Sequence, residues 1–190
     1  MRIKKFIKTI LPQTLLDRYR MMRGNSAAYS VEETTTKEVF TDIYQKGLWG
    51  KSADTTQPYF SGRGSHDDTI VSAYVEKVRE FLGSFSVKPD VVDLGCGDFY
   101  VGSQIRSMCG SYIACDVVPA LIEFNRRKYV SLDVDFRVLD LVSDEIPKAD
   151  VVFIRQVLQH LSNQQIQRLI PKLRPNFKYL VITEHLPLSN

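Results

Sequence analysis

The sequence has no apolar run near the roughly 20 residues that cross a bilayer, and it is poor in cysteine. Its three cysteines, Cys96, Cys109 and Cys115, form no Cys-x-x-Cys pair, and an odd number cannot all pair within one chain. This excludes a disulfide scaffold, argues against a cysteine-built metal site, so that no metal is expected, and points to a reducing, cytoplasmic compartment. The first residues carry charge as a secretory leader does. They lack a continuous apolar stretch and a small-residue cleavage site, and are read as retained. Beyond residue 24 there is no excess of positive charge either: 18 basic residues stand against 21 acidic ones. That balance counts against a broad nucleic-acid-binding face, and no nucleic-acid partner is expected.

What is present suits an ordinary globular domain: 190 residues, 44% hydrophobic and 25% charged, enough for a full core. Residues 1–24 form a basic arm, with seven basic residues against Asp17. Ile3, Phe6, Ile7, Ile10 and Leu11 recur at helical spacing, Pro12 interrupts, and Leu15, Leu16, Tyr19 and Met22 resume. Such an arm is either an ordinary docked helix or a peripheral contact with the inner face of an anionic membrane. Residues 25–66 read as a linker and a cap. A short helix is expected over Glu38–Leu48, with Phe40, Ile43 and Tyr44 on one side. A loop follows in which Trp49, Tyr59 and Phe60 accompany glycines, a composition suited to closing over a ligand.

Residues 67–190 read as one domain. A helix is expected over Asp67–Phe85, burying Ile70, Ala73, Tyr74, Val78, Phe81 and Leu82, with Asp67 and Asp68 in its first turn. Strands are expected at Val91–Leu94, Tyr112–Cys115, Asp135–Val138, Val151–Ile154 and Tyr179–Thr183. Helices are expected between them near Tyr100–Met108, Ala120–Tyr129, Gln156–His160 and Asn163–Leu173, the last capped by Ser162. The alternation predicts an α/β fold, a parallel sheet of about five strands flanked by helices, with a helical N-terminal extension.

The chemistry gathers at strand ends. Val91-Val92-Asp93-Leu94-Gly95-Cys96-Gly97-Asp98 is a buried strand entering a tight glycine turn, where Gly95 and Gly97 let a ligand touch backbone. The second strand ends at Asp116, nineteen residues after Gly97, where a carboxylate can accept both hydroxyls of a ribose. After the third strand, Asp140 can receive an adenine amino group while Leu141 packs on the ring. Cys96 and Cys115 read as small buried residues and not as nucleophiles.

In Asp93-Leu94-Gly95-Cys96-Gly97, Asp116, Asp140 and the stretch Asp150 to Leu161, the sequence resembles the class I S-adenosylmethionine-dependent methyltransferases, over about residues 67–185. The resemblance implies a Rossmann-like fold and S-adenosylmethionine as cofactor. It places Gly95, Gly97 and Gln156 near the methionine end, Asp116 on the ribose, and Asp140 and Leu141 about the adenine, while Asp93 either contacts the cofactor directly or holds the glycine turn by hydrogen bonds. Two departures stand out. Phe99 occupies the place of the usual third glycine, with Gly102 further on. The sequence also stops soon after the fifth strand, so the usual last two strands are lacking, as in a fragment or a smaller variant with an exposed edge.

For a hydroxyl acceptor a base would be needed, and His160 and His185 are the candidates. Glu184 beside His185 suggests an orienting carboxylate, and Arg63 suggests a partner for the cofactor carboxylate. The arm, Trp49-Gly50, Ser61-Gly62-Arg63-Gly64-Ser65 and Gly97-Asp98-Phe99 resemble, more loosely, bacterial methyltransferases found with surface-polysaccharide biosynthesis. O-methylation of a small-molecule or sugar hydroxyl is therefore expected. The alternatives are a non-catalytic cofactor- or partner-binding domain and a nicotinamide-dependent oxidoreductase. The latter's Gly-x-Gly-x-x-Gly would need a glycine where Tyr100 stands. Oligomeric state is not legible.

Overall fold

The computed structural model describes residues 35–52, 54 and 56–184. The basic arm 1–24, the start of the linker and His185 lie outside the described residues. Five strands, β1 (Val91–Leu94), β2 (Tyr112–Asp116), β3 (Asp135–Val138), β4 (Val151–Arg155) and β5 (Tyr179–Thr183), form one sheet in the order β3-β2-β1-β4-β5. Every pairing is parallel. The central strands β1 and β4 are buried almost throughout, as parallel strands covered on both faces must be. At the edges, β3 buries only Phe136 and carries the Asp135–Arg137 pair on its open side.

Among the described residues, five helices flank the sheet: α1 (Thr36–Lys46), α2 (Asp68–Gly83), α3 (Tyr100–Ile105), α4 (Pro119–Lys128) and α5 (Asn163–Leu173). Helix α1 opens with a reciprocal capping box between Thr35 and Glu38 and closes on Gly47 in the left-handed conformation. Helix α5 opens the same way through Ser162 and Gln165. Asp67 caps α2, accepting from the amides of Thr69 and Ile70. The stretch Gln156–His160 is a short 3-10 turn over Leu158–His160, not a longer helix.

Two apolar layers hold the sheet. On one face α2 and α3 pack against Val91, Phe153 and Tyr112; on the other, α5 packs against Val92, Val152 and Ile154. The buried stripe of α2 is Val71, Val75, Val78 and Leu82, while Ile70 is 52% exposed and Ala73 faces solvent. Two adjacent apolar rows run along this helix, and the row one residue further on meets the sheet. In α1, Val39 joins Ile43 and Tyr44 in the core while Phe40 is half-buried.

The strand order reverses between β1 and β4. Crossovers from β1 run one way through β2 and β3, and the chain then returns to add β4 and β5 on the other side. That reversal opens a crevice beyond the carboxyl ends of β1 and β4.

Candidate cofactor and acceptor site

The crevice is a single cavity of about 440 Å³, a size suited to a ligand of nucleotide dimensions. It brings together Asp93, Gly95, Gly97, Asp116, Asp140, Leu141, Gln156, His160 and Arg63.

The floor is the β1–α3 turn. Gly95 and Gly97 have φ of +81° and +55°. A Cβ at Gly95 would stand 2.4 Å from Val157, and one at Gly97 would stand 2.4 Å from Ser61 Oγ, so both positions require glycine on conformational and steric grounds. Phe99 also adopts a left-handed backbone, φ +61°. Its ring turns into the core against Tyr112, Tyr129 and Phe136. Gly102 makes this possible, since a Cβ there would lie 2.3 Å from the Phe99 ring. Gly102, three residues on, thus leaves room for Phe99 as an aromatic anchor of the turn.

Asp116 braces the turn. Its Oδ2 accepts from the Gly97 amide (3.1 Å) and its Oδ1 from the Val118 amide (3.1 Å). Burial raises its carboxyl to about 6, against the pull of these amides. A carboxylate has about four acceptor positions, so capacity remains for hydroxyl donors in the cavity. Asp93 accepts from the Tyr112 hydroxyl (3.0 Å) and is likewise lifted to about 6 by burial. Asp140 binds the Val142 amide through Oδ1, with the buried Leu141 beside it. Gln156, at φ +58°, donates its amide to Thr183 O (2.8 Å). A non-glycine residue in that conformation is held there by the β5 contact.

The roof comes from α1 and the following loop. Phe40, Tyr44, Trp49 and Ser61–Ser65 line the cavity. Trp49 packs on Tyr44 and on His160, at ring separations of 5.1 and 5.3 Å. Tyr59 and Phe60 turn away. Tyr59 packs on Tyr44 and Phe124, and Phe60 stacks on His66. These two rings anchor the loop and do not line the cavity.

A latch absent from the sequence reading ties roof to floor. The buried Asp98 accepts from the Ser61 amide (3.0 Å) and lies 2.6 Å from His66 Nε2. The Asp98 amide donates to Ser61 Oγ (2.8 Å). His66 is sandwiched between Phe60 and Tyr100, each ring 4.6 Å away. The partners lie more than thirty residues apart in sequence, so no local pattern signals them.

His160 stands on the cavity wall between Phe40 and Trp49. Burial lowers its imidazole to about 4, so it is neutral at pH 7. Glu184 has backbone partners among the described residues. It accepts from the amides of Val157, Leu158 and Gln159, capping the turn that carries His160. Cys96 also faces the cavity, and burial raises its thiol well above the ordinary value, so it stays protonated.

The donor set fits an adenosyl cofactor. Acids sit at the tips of β2 and β3, a side-chain-free turn lies between β2 and β4, and Arg155 Nε is a shielded polar atom without a partner at the tip of β4.

Comparison with known proteins agrees. A family model described as a methyltransferase domain matches residues 91–178. The magnesium protoporphyrin IX methyltransferase of Synechocystis PCC 6803, solved with bound S-adenosylmethionine, superposes with a TM-score of 0.59 at 17% identity, over 86% of this chain and 83% of that one. The N-methyltransferase NodS of Bradyrhizobium japonicum WM9, in complex with S-adenosylhomocysteine, gives a TM-score of 0.55 at 14% identity, over 74% and 72%. At such identities the likeness is one of fold. No curated protein matches the chain by sequence. The matched segment is thus similar to a methyltransferase domain, and the fold is one shared with S-adenosylmethionine-dependent methyltransferases. The portion that carries the match runs from the first residue of β1 to the residue before β5.

Proposed function

We propose that this protein methylates a hydroxyl oxygen of a small molecule or sugar. The observation that carries the reading is the shared cavity. The glycine turn, Asp116 and Asp140–Leu141 line one side of it, and the aromatic rings with His160 line the other. The cofactor, when bound, supplies an electrophilic methyl group. Asp116 would hold the ribose and Asp140 with Leu141 the adenine, while Asp93, Gly95, Gly97 and Gln156 shape the methionine end.

The chain's own contribution is alignment, exclusion of water and handling of one proton. Trp49 and Phe40 offer apolar ring surface for the face of an acceptor. His160 is neutral and can accept the hydrogen bond of an acceptor hydroxyl, orienting its oxygen. His185 is a second candidate for that proton. The aromatic wall supports a sugar acceptor, in line with the resemblance to polysaccharide-associated methyltransferases. The pattern of residues 1–24 supports peripheral contact with an anionic membrane, where a lipid-linked glycan would be presented.

The test is incubation with methyl-labelled S-adenosylmethionine and a panel of sugars, alcohols and amines. Label should appear as an alkali-stable ether. His160→Ala should lower kcat about 100-fold while S-adenosylhomocysteine affinity stays within about twofold. Transfer to amines alone, or no transfer to any acceptor despite cofactor binding, would overturn the hydroxyl assignment.

A further inference from the structure

Arg155 is a charged residue of the cavity that the proposed reaction leaves unused. It ends β4, and Asp93 pairs in register with Phe153, so Arg155 emerges on the same sheet face as Asp93. Its Nη1 donates to Ser65 Oγ (3.1 Å) and its Nη2 to Gly64 O (2.8 Å). The guanidinium carbon lies 5.2 Å from the centre of the Tyr74 ring. Its Nε is shielded from solvent and has no hydrogen-bond partner.

These contacts orient the guanidinium without neutralising it. Among the described residues Arg155 makes no ion pair. Asp93, Asp98 and Glu184 act on it through space, but Asp93 is engaged by the Tyr112 hydroxyl, Asp98 by Ser61 and His66, and Glu184 by three backbone amides. Burial disfavours the charge on Arg155. A half-buried guanidinium with one shielded, unpartnered N–H favours an anion, and its planar fork matches a carboxylate.

The placement tells which carboxylate. Asp140 follows the β3 tip, Asp116 ends β2, the glycine turn follows β1, and Arg155 ends β4. From β3 to β4 is three strand spacings, roughly 14 Å. A ligand with its base over β3 and its ribose over β2 extends its far end over β1 toward β4. In an adenosyl amino acid that end carries the carboxylate.

We propose that Arg155 holds the amino-acid carboxylate of the cofactor. The inference rests on the reading of the cavity as an adenosyl site. It shifts the role considered for Arg63 to a residue ninety-two positions on. Arg63 is exposed on the rim, where water screens its charge. Arg155 sits where screening is weak and the pairing is correspondingly selective.

The test is calorimetric titration of the full chain with S-adenosylhomocysteine and with its decarboxylated analogue, which keeps the amine and lacks the carboxylate. The wild type should prefer S-adenosylhomocysteine by about 10- to 100-fold. Arg155→Gln should bind both ligands alike, with affinity for the analogue within about twofold of wild type. Arg155→Lys, a point charge without the fork, should retain an intermediate preference. A preference that survives in Arg155→Gln, or a loss of affinity equal for both ligands, overturns the assignment. If Arg155→Gln does not fold, equal binding of the two ligands by the wild type, or an undiminished preference in Arg155→Lys, overturns it as well. A wild type that binds neither ligand refutes the cofactor reading itself, and the role of Arg155 with it.

Discussion

The floor and the roof of the cavity are built by different means. The floor is backbone: two glycines with positive φ, an amide held by Asp116 and a phenylalanine anchored in the core. The roof is side chains: Trp49, Phe40 and Tyr44 packed on one another and on His160, latched to the floor through Ser61, Asp98 and His66. A backbone floor is rigid and admits little substitution, which suits a cofactor of invariant shape. A side-chain roof can be re-tailored without disturbing the sheet, which suits an acceptor that differs among enzymes sharing this fold.

If the two regions divide the labour this way, substitutions in each should separate cofactor affinity from acceptor affinity. The largest effect is expected on the floor. Gly97→Ala forces a Cβ against Ser61 and strains the turn. S-adenosylhomocysteine affinity should fall about 100-fold, and Tm by roughly 3–8 °C, as read by calorimetry and thermal melts. Asp116→Asn comes next, with affinity lowered about 10- to 100-fold through loss of charge-assisted hydrogen bonds to the ribose. Trp49→Ala should then raise the acceptor KM about tenfold and leave cofactor affinity within about twofold; a matched loss of both would erase the distinction between floor and roof. Ser61→Ala is the mildest. Removing the hydroxyl that receives the Asp98 amide should cost about 1 kcal/mol and speed amide exchange in residues 59–66, with little change in kcat.

Acidity sharpens the comparison, because the floor carries the carboxyl groups that titrate near neutrality. Burial lifts Asp116 from an ordinary 3.8 to about 6. In the cofactor-free protein its neutral form is favoured. That contribution to stability is full below about 4 and is lost as pH rises through about 6. On the proposed reading, ribose hydroxyls would reverse the preference, since they donate to the charged form. The rise in Tm produced by S-adenosylhomocysteine should therefore be larger at pH 8 than at pH 5, and Asp116→Asn should remove the difference.

The floor was also the more legible half. All five strands fall where the apolar runs between glycine, proline and charge placed them, because parallel strands buried on both faces leave an uninterrupted signature. Asp116 and Asp140 line one cavity because strand ends converge in this topology. Helix α2 shows the limit: Ile70 and Val71 begin two neighbouring apolar rows, and only the docked sheet selects the second. The roof was half legible. Of the three aromatic residues expected in a loop closing over a ligand, Trp49 lines the cavity while Tyr59 and Phe60 are anchors, and Asp98, His66 and Arg155 owe their importance to partners 32 to 91 residues away. Glu184, read beside His185, also accepts from three amides of the neighbouring turn, contacts that no local pattern signals. Periodicity reports burial, and it carries no information about which distant loop a polar side chain will meet.

A crystal structure of the protein with S-adenosylhomocysteine bound tests the central claim most directly. Both ribose hydroxyls should lie within hydrogen-bond distance of Asp116, the adenine should rest against Leu141 beside Asp140, and the sulfur should pass over Gly95 and Gly97. A nucleoside seated anywhere else on the molecule would contradict the account.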